Sequence, residues 1–193
     1  MSARIPELLH NATLHISTEA GQKAIKHAEE YENAFLSYLM QYIKDDDVLN
    51  DFYVRLIYEC EIVQIVLHNR KNTELWELKD LIEDLQHAKT IKELADTDAA
   101  FHRRLFSIAG EEEFYKWYQL QAKSLNHFLS GFWSYIGYNT ENYKKLMEIH
   151  TNIYLAIEKQ DVELALRATQ EHFSILLFQL LSVTFQKGSS LAE

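Results

Sequence analysis

Asp98 and His102 stand four residues apart in DTDAAFHRRLF, so on a helix they lie one turn apart on the same face. His150 and His172 open and close HTNIYLAIEKQDVELALRATQEH, which reads as two further helical segments. One carboxylate and three imidazoles are a normal donor set for a divalent transition metal such as zinc, nickel or manganese. That chemistry requires three helices to converge, which spacing alone does not establish. A helical Asp-x-x-x-His pair arises easily by chance in a chain with nine aspartates and nine histidines. Glu83 and His87 have the same spacing, but DLIEDLQHAK alternates polar residues around them and reads as a solvated face. Asp98 and His102 instead adjoin Phe101 and Leu105, an arrangement that suits the edge of a pocket. For His150 or His172 taken singly, the simpler reading is a core histidine bonded to a backbone carbonyl.

The elements that must position these residues are helices. One proline and five glycines in 193 residues leave little of the turn chemistry that sheets need, so the fold class is all-α. Hydrophobic residues at 47% and charged residues at 25% are the balance of a soluble globular domain. A helical period runs over about 18–43 through Ile25, Ala28, Tyr31, Phe35, Tyr38, Leu39 and Tyr42. Asp45, Asp46 and Asp47 end that run and favour the start of the next helix, over about 48–68. Further helices are expected over about 73–87, from a Thr90/Glu93 capping box to Gly110, over about 112–135 and 140–159, and from an Asp161 cap to about 186. The helix over 112–135 is aromatic, with Phe114, Tyr115, Trp117, Tyr118, Phe128, Phe132 and Trp133. Core or dimer interface is the plainer role for these rings, and a ligand box is the other.

A net charge of −10, with 19 basic residues scattered among 29 acidic ones, argues against direct nucleic-acid binding. Cys60, the single cysteine, reads as a small buried hydrophobe in a reducing compartment. The opening MSARIPELLHNATLHIS lacks the pattern of a secretory signal, and no apolar run is long enough for a membrane span. A cytoplasmic protein is the expectation.

From about Asp47 to Phe185 the chain resembles the FCD effector domain, the ligand-binding domain of the FadR/VanR branch of GntR-type transcriptional regulators. FYVRLIYE carries the family's Arg and Glu four apart, as Arg55 and Glu59. DAAFHRRLFSIAG matches its metal helix through Asp98, Phe101, His102, Leu105, Ala109 and Gly110. HTNIYLAIEKQDVELALRATQEH matches its closing pair of helices through His150, Ile153, Ala156, Ile157, Asp161, Ala165 and His172. The resemblance implies an antiparallel bundle of about six helices, often dimeric, with the helix over 18–43 added in front. It also implies a metal held by Asp98, His102, His150 and His172, with a small carboxylate-bearing metabolite beside or on it. Zinc is the first expectation, with nickel, manganese or iron also compatible with such donors. Arg55 becomes a candidate ligand-binding residue, although an Arg55–Glu59 ion pair on the helix surface reads equally well.

Three blocks follow from this reading: a lead-in and extra helix over 1–46, the metal- and ligand-binding domain over 47–186, and a polar tail over 187–193. Two departures from the family pattern stand out. Glu111 begins an acidic run where the family has Asn, and the following helix is aromatic with only Lys116, Lys123 and His127 as basic candidates. Both features leave room for a less charged or aromatic ligand. Residues 1–46 contain one proline, one glycine and no recognisable winged helix-turn-helix. The expected function is therefore metal-dependent sensing of a small organic acid, without a DNA reader in this chain. The competing reading is a metal-dependent hydrolase or oxygenase, for which the sequence offers no HExxH or paired ExxH motif.

Overall fold

The computed structural model describes residues 46–120 and 141–189, with side-chain surroundings for most positions between 55 and 175. Among these residues the regular structure is all helical. In chain order the helices are α1 (Asp46–Asn69), α2 (Asn72–His87) and α3 (Ile91–Ala109). A helical run over 112–120, α4, follows, and then α5 (Glu141–Lys159) and α6 (Val162–Ser189). The helix expected over 18–43 lies outside the described residues, as do Phe128, Phe132, Trp133, Lys123 and His127. The last helix continues three residues past the expected 186, to Ser189.

Local signals explain where these helices stop and start. Thr90 is extended at φ −132°, and its hydroxyl accepts the Glu93 amide at 3.1 Å. The reciprocal half of the expected capping box is displaced by one residue: the Glu93 carboxylate takes the Lys89 amide at 2.7 Å, not that of Thr90. Gly110 ends α3 at φ 73°, a left-handed conformation in which a side chain would be strained. Asp161 caps α6 by accepting the Leu164 amide at 2.9 Å.

The α5 terminus is held less conventionally. Gln160 adopts φ 57°, with the Asp161 amide reaching Ala156 O at 2.9 Å and the Gln160 amide reaching Ile157 O at 3.3 Å. These two bonds make a Schellman turn with glutamine where glycine is usual. The Gln160 side chain donates to Leu67 O near the end of α1 at 3.2 Å. In return Arg70, just beyond α1, donates to Ile157 O at 2.7 Å and Glu158 O at 2.9 Å at the end of α5. Each helix therefore lends a side chain to the other's open carbonyls.

Packing closes the helices into a ring in which α1 neighbours α3, α3 neighbours α2, α2 neighbours α5, α5 neighbours α6, and α6 returns to α1. Residues 55–63 of α1 are buried without a break, so this helix is enclosed on all sides and not laid on a surface. Aromatic rings from α4 fill the space beside it. Phe114 lies 4.5 Å from Tyr58, Tyr118 lies 4.6 Å from Phe106, and the Tyr118 hydroxyl donates to Ala99 O at 2.8 Å. The described aromatics of α4 thus serve the core.

Candidate metal centre

Enclosing α1 puts its polar residues in contact with the inner faces of its neighbours. Asp98 and His102 come from α3, His150 from α5 and His172 from α6. One ligand-type atom from each lies within 4.8 Å of all the others. The four residues are 0–1% exposed, so the expected pocket edge is instead fully interior. Glu83 and His87 remain on the surface: the His87 ring faces Glu83 O at 2.6 Å and the pair encloses nothing.

The contacts inside the cluster are close but do not satisfy it. His150 Nε2 is 2.8 Å from Asp98 Oδ1, and His102 Nε2 is 3.9 Å from the same oxygen. Neither makes a well-aligned hydrogen bond, and Asp98 Oδ2, His102 Nε2, His150 Nε2 and His172 Nδ1 are all buried without a partner. The rings crowd one another, with His150 and His172 centred 4.7 Å apart and His102 and His172 4.9 Å apart. Stranding so many lone pairs in an apolar bundle costs about 1–3 kcal/mol for each unsatisfied group. A cation that accepts all of them removes that penalty, so the donor set fits a divalent transition metal.

The outer sides of two rings are anchored. His150 Nδ1 contacts Leu146 O at 2.7 Å, the backbone bond expected of a core histidine, while its other nitrogen faces the cluster. His102 Nδ1 lies 2.8 Å from Glu59 Oε2, off the line of the ring N–H. The other Glu59 oxygen meets Arg55 Nε at 2.6 Å. Arg55 and Glu59 are 4% and 2% exposed, so this ion pair is internal and the helix-surface reading of it is overturned. The cause is the enclosure of α1, which leaves the pair no access to water. Arg55 also sits 5.3 Å from the centre of the Phe173 ring, next to His172 in sequence.

Electrostatics follow from burial and these partners. Burial alone would raise the Glu59 carboxyl, but the Arg55 charge and then His102 outweigh it and bring it down to about 2. Asp98 is likewise opposed by burial, yet His150, His102 and Arg55 hold it below its ordinary range. Burial, and then the adjacent His150 and His102 rings, push His172 well below its ordinary value. That leaves His172 neutral, with a lone pair available for coordination.

The FCD domain model matches residues 52–174, well over half of the chain. The chain belongs to the FCD family. No curated protein matches it. FCD domains are the ligand-sensing domains of GntR-type regulators and bind small-molecule effectors. The matched stretch includes all four clustered residues and the Arg55–Glu59 pair. Among the described residues no helix of this FCD domain is long and apolar enough to cross a membrane.

Two further buried polar residues lie on the helices around the centre, and of these only Glu59 touches it. In the sequence Glu59 stands out only as the partner of Arg55, although apolar residues occupy every face of FYVRLIYECEIV and signal a helix with no wholly wet face. Thr169, three residues before His172, is buried with its hydroxyl unpartnered, and no local sequence signal marks it.

Proposed function

We propose that this FCD domain senses a small organic acid at a divalent metal held by Asp98, His102, His150 and His172. The observation that carries the reading is that one ligand-type atom from each of four buried residues lies within 4.8 Å of the others, in a cluster where each residue has a buried polar atom without a partner. Zinc suits three imidazoles and a carboxylate best, and nickel, manganese and iron are compatible. Bound there, the metal supplies a Lewis-acidic position for a carboxylate. Arg55 is the proposed ligand-binding residue, because its Nη2 is buried without a partner while Nε is engaged by Glu59.

Charge supports an anionic effector. Asp98 and Glu59 carry one negative charge each and Arg55 one positive charge, so these three side chains together leave a single negative charge. A divalent ion turns that into a single positive charge, which one monocarboxylate neutralises. Glu59 is already engaged by Arg55 and faces His102, and Asp98 is counted among the metal's donors. That engagement favours sensing over a hydrolytic role, in which one of them would have to handle a proton.

The proposed sensing unit is residues 47–186, working as a homodimer in the cytoplasm without itself contacting nucleic acid. The acidic balance of the chain and its lone buried cysteine support that setting. Elemental analysis of purified protein, followed by thermal-shift screening of monocarboxylates and dicarboxylates, tests the reading. Near-stoichiometric metal, lost on His102→Ala combined with His150→Ala, is the expected result. A metal-free protein that takes up none of the four ions from solution would end it.

A further inference from the structure

Neutral imidazole carries a single proton, and a metal can bind only the ring nitrogen that lacks it. Placement of that proton is therefore as important to a histidine ligand as placement of the ring. For His150 the Leu146 carbonyl accepts at Nδ1 and leaves Nε2 as the free lone pair. For His102 the group at Nδ1 is the Glu59 carboxylate, 2.8 Å away. We infer that Glu59 is a positioning residue for the metal centre: its Oε2 keeps the His102 proton on Nδ1 and so presents Nε2 to Asp98, His150 and His172. This inference rests on the metal reading above.

The division of labour at Glu59 is what makes the assignment specific. Arg55 occupies Oε1 alone, at 2.6 Å, and leaves Oε2 directed at the ring. Arg55 is in turn packed on Phe173, beside His172 in sequence, which steadies the guanidinium that holds the carboxylate. The N···O contact is short but bent, and a small rotation of the ring straightens it. Such bonds commonly tighten when the facing nitrogen is engaged. Glu59 touches no proposed donor atom; it acts on the centre through His102.

Glu59→Gln tests this directly, because the amide is nearly isosteric. Arg55 can only donate, so it keeps the amide oxygen, and the amide NH2 is then turned toward His102. The ring must accept there, which moves its proton to Nε2 and blocks the donor atom. Zinc affinity by chelator competition is expected to fall about 10–100-fold. Nitrogen-15 spectra of the metal-free proteins at pH 8 should show His102 protonated on Nδ1 in the wild type and on Nε2 in the variant. If Glu59→Gln does not fold, Arg55→Met combined with Glu59→Met removes both charges at similar volume and should show the same order of affinity loss. Zinc affinity within about threefold of wild type in whichever variant folds would overturn the inference, set against the loss expected of such partners. Protonation of His102 on Nε2 in the wild type would overturn it too. A wild type that binds no zinc at all would instead sink the metal reading, and the metal-free spectra would still decide the role of Glu59.

Discussion

Replacing Asp98 by Asn changes one atom of the proposed donor set and little of its shape. The amide can turn its NH2 toward the His150 Nε2 lone pair that Asp98 Oδ1 now faces at 2.8 Å, but the only anionic donor is gone. Without metal the change is small, about 1 kcal/mol or less, because His150 Nε2 carries a lone pair and donates nothing to Asp98. With metal the loss is larger, because the ion's own contribution disappears as well. Free zinc at one hundred times its dissociation constant stabilises the folded state by about 2.7 kcal/mol. For a chain of 193 residues each kcal/mol moves the melting temperature by about 2–4 °C, which gives a zinc-dependent rise of about 5–11 °C. Melting curves of wild type and Asp98→Asn, each with zinc and with a chelator, separate the two effects. The wild type should show the full rise and the variant close to none, while the two chelated proteins differ by only a few degrees. An equal zinc-dependent rise in both proteins would refute the reasoning, since Asp98 would then be a structural acid and not a ligand.

Four further outcomes are expected from the fold. Arg70→Ala removes two charged hydrogen bonds to the end of α5 and, being half-buried, should cost about 1–2 kcal/mol in urea unfolding. Gln160→Gly and Gln160→Ala both lose the bond to Leu67 O, but only glycine relieves φ 57°. The glycine variant should therefore be the more stable of the two by about 1 kcal/mol. Tyr118→Phe strands part of the Ala99 carbonyl and should cost about 1 kcal/mol, visible as a lower denaturation midpoint with an unchanged slope. Burial raises the Cys60 thiol above its ordinary value, so at pH 8 it should label with a disulfide reagent only as fast as the protein opens, and promptly in denaturant.

Helix ends were legible because they are written in adjacent residues. Thr90, Gly110 and Asp161 each act on backbone within a few positions of themselves. The Asp98/His102 register was legible for the same reason. Convergence of His150 and His172 on that pair was not, since α5 and α6 reach it only through the closing of the ring, and only family resemblance suggested it in advance. The Arg55–Glu59 pair shows where local reasoning misleads. Spacing predicted the ion pair correctly, but whether it faces water depends on what surrounds α1. The Arg70 and Gln160 contacts span 87 and 93 residues, and nothing near either residue announces its partner.

The depth of the four donors also has a kinetic meaning. With 0–1% exposure on each, the four side chains have almost no contact with solvent. A metal held there exchanges at a rate set by local opening of the bundle, not by the lability of its own bonds. Its residence time then belongs to the fold, and it far outlasts that of a metal on an open surface site. Such a centre does not follow moment-to-moment changes in free metal concentration. By the same reasoning, a small acid that binds such a metal would reach it only through that opening, so its entry and the exchange of the metal would share one barrier.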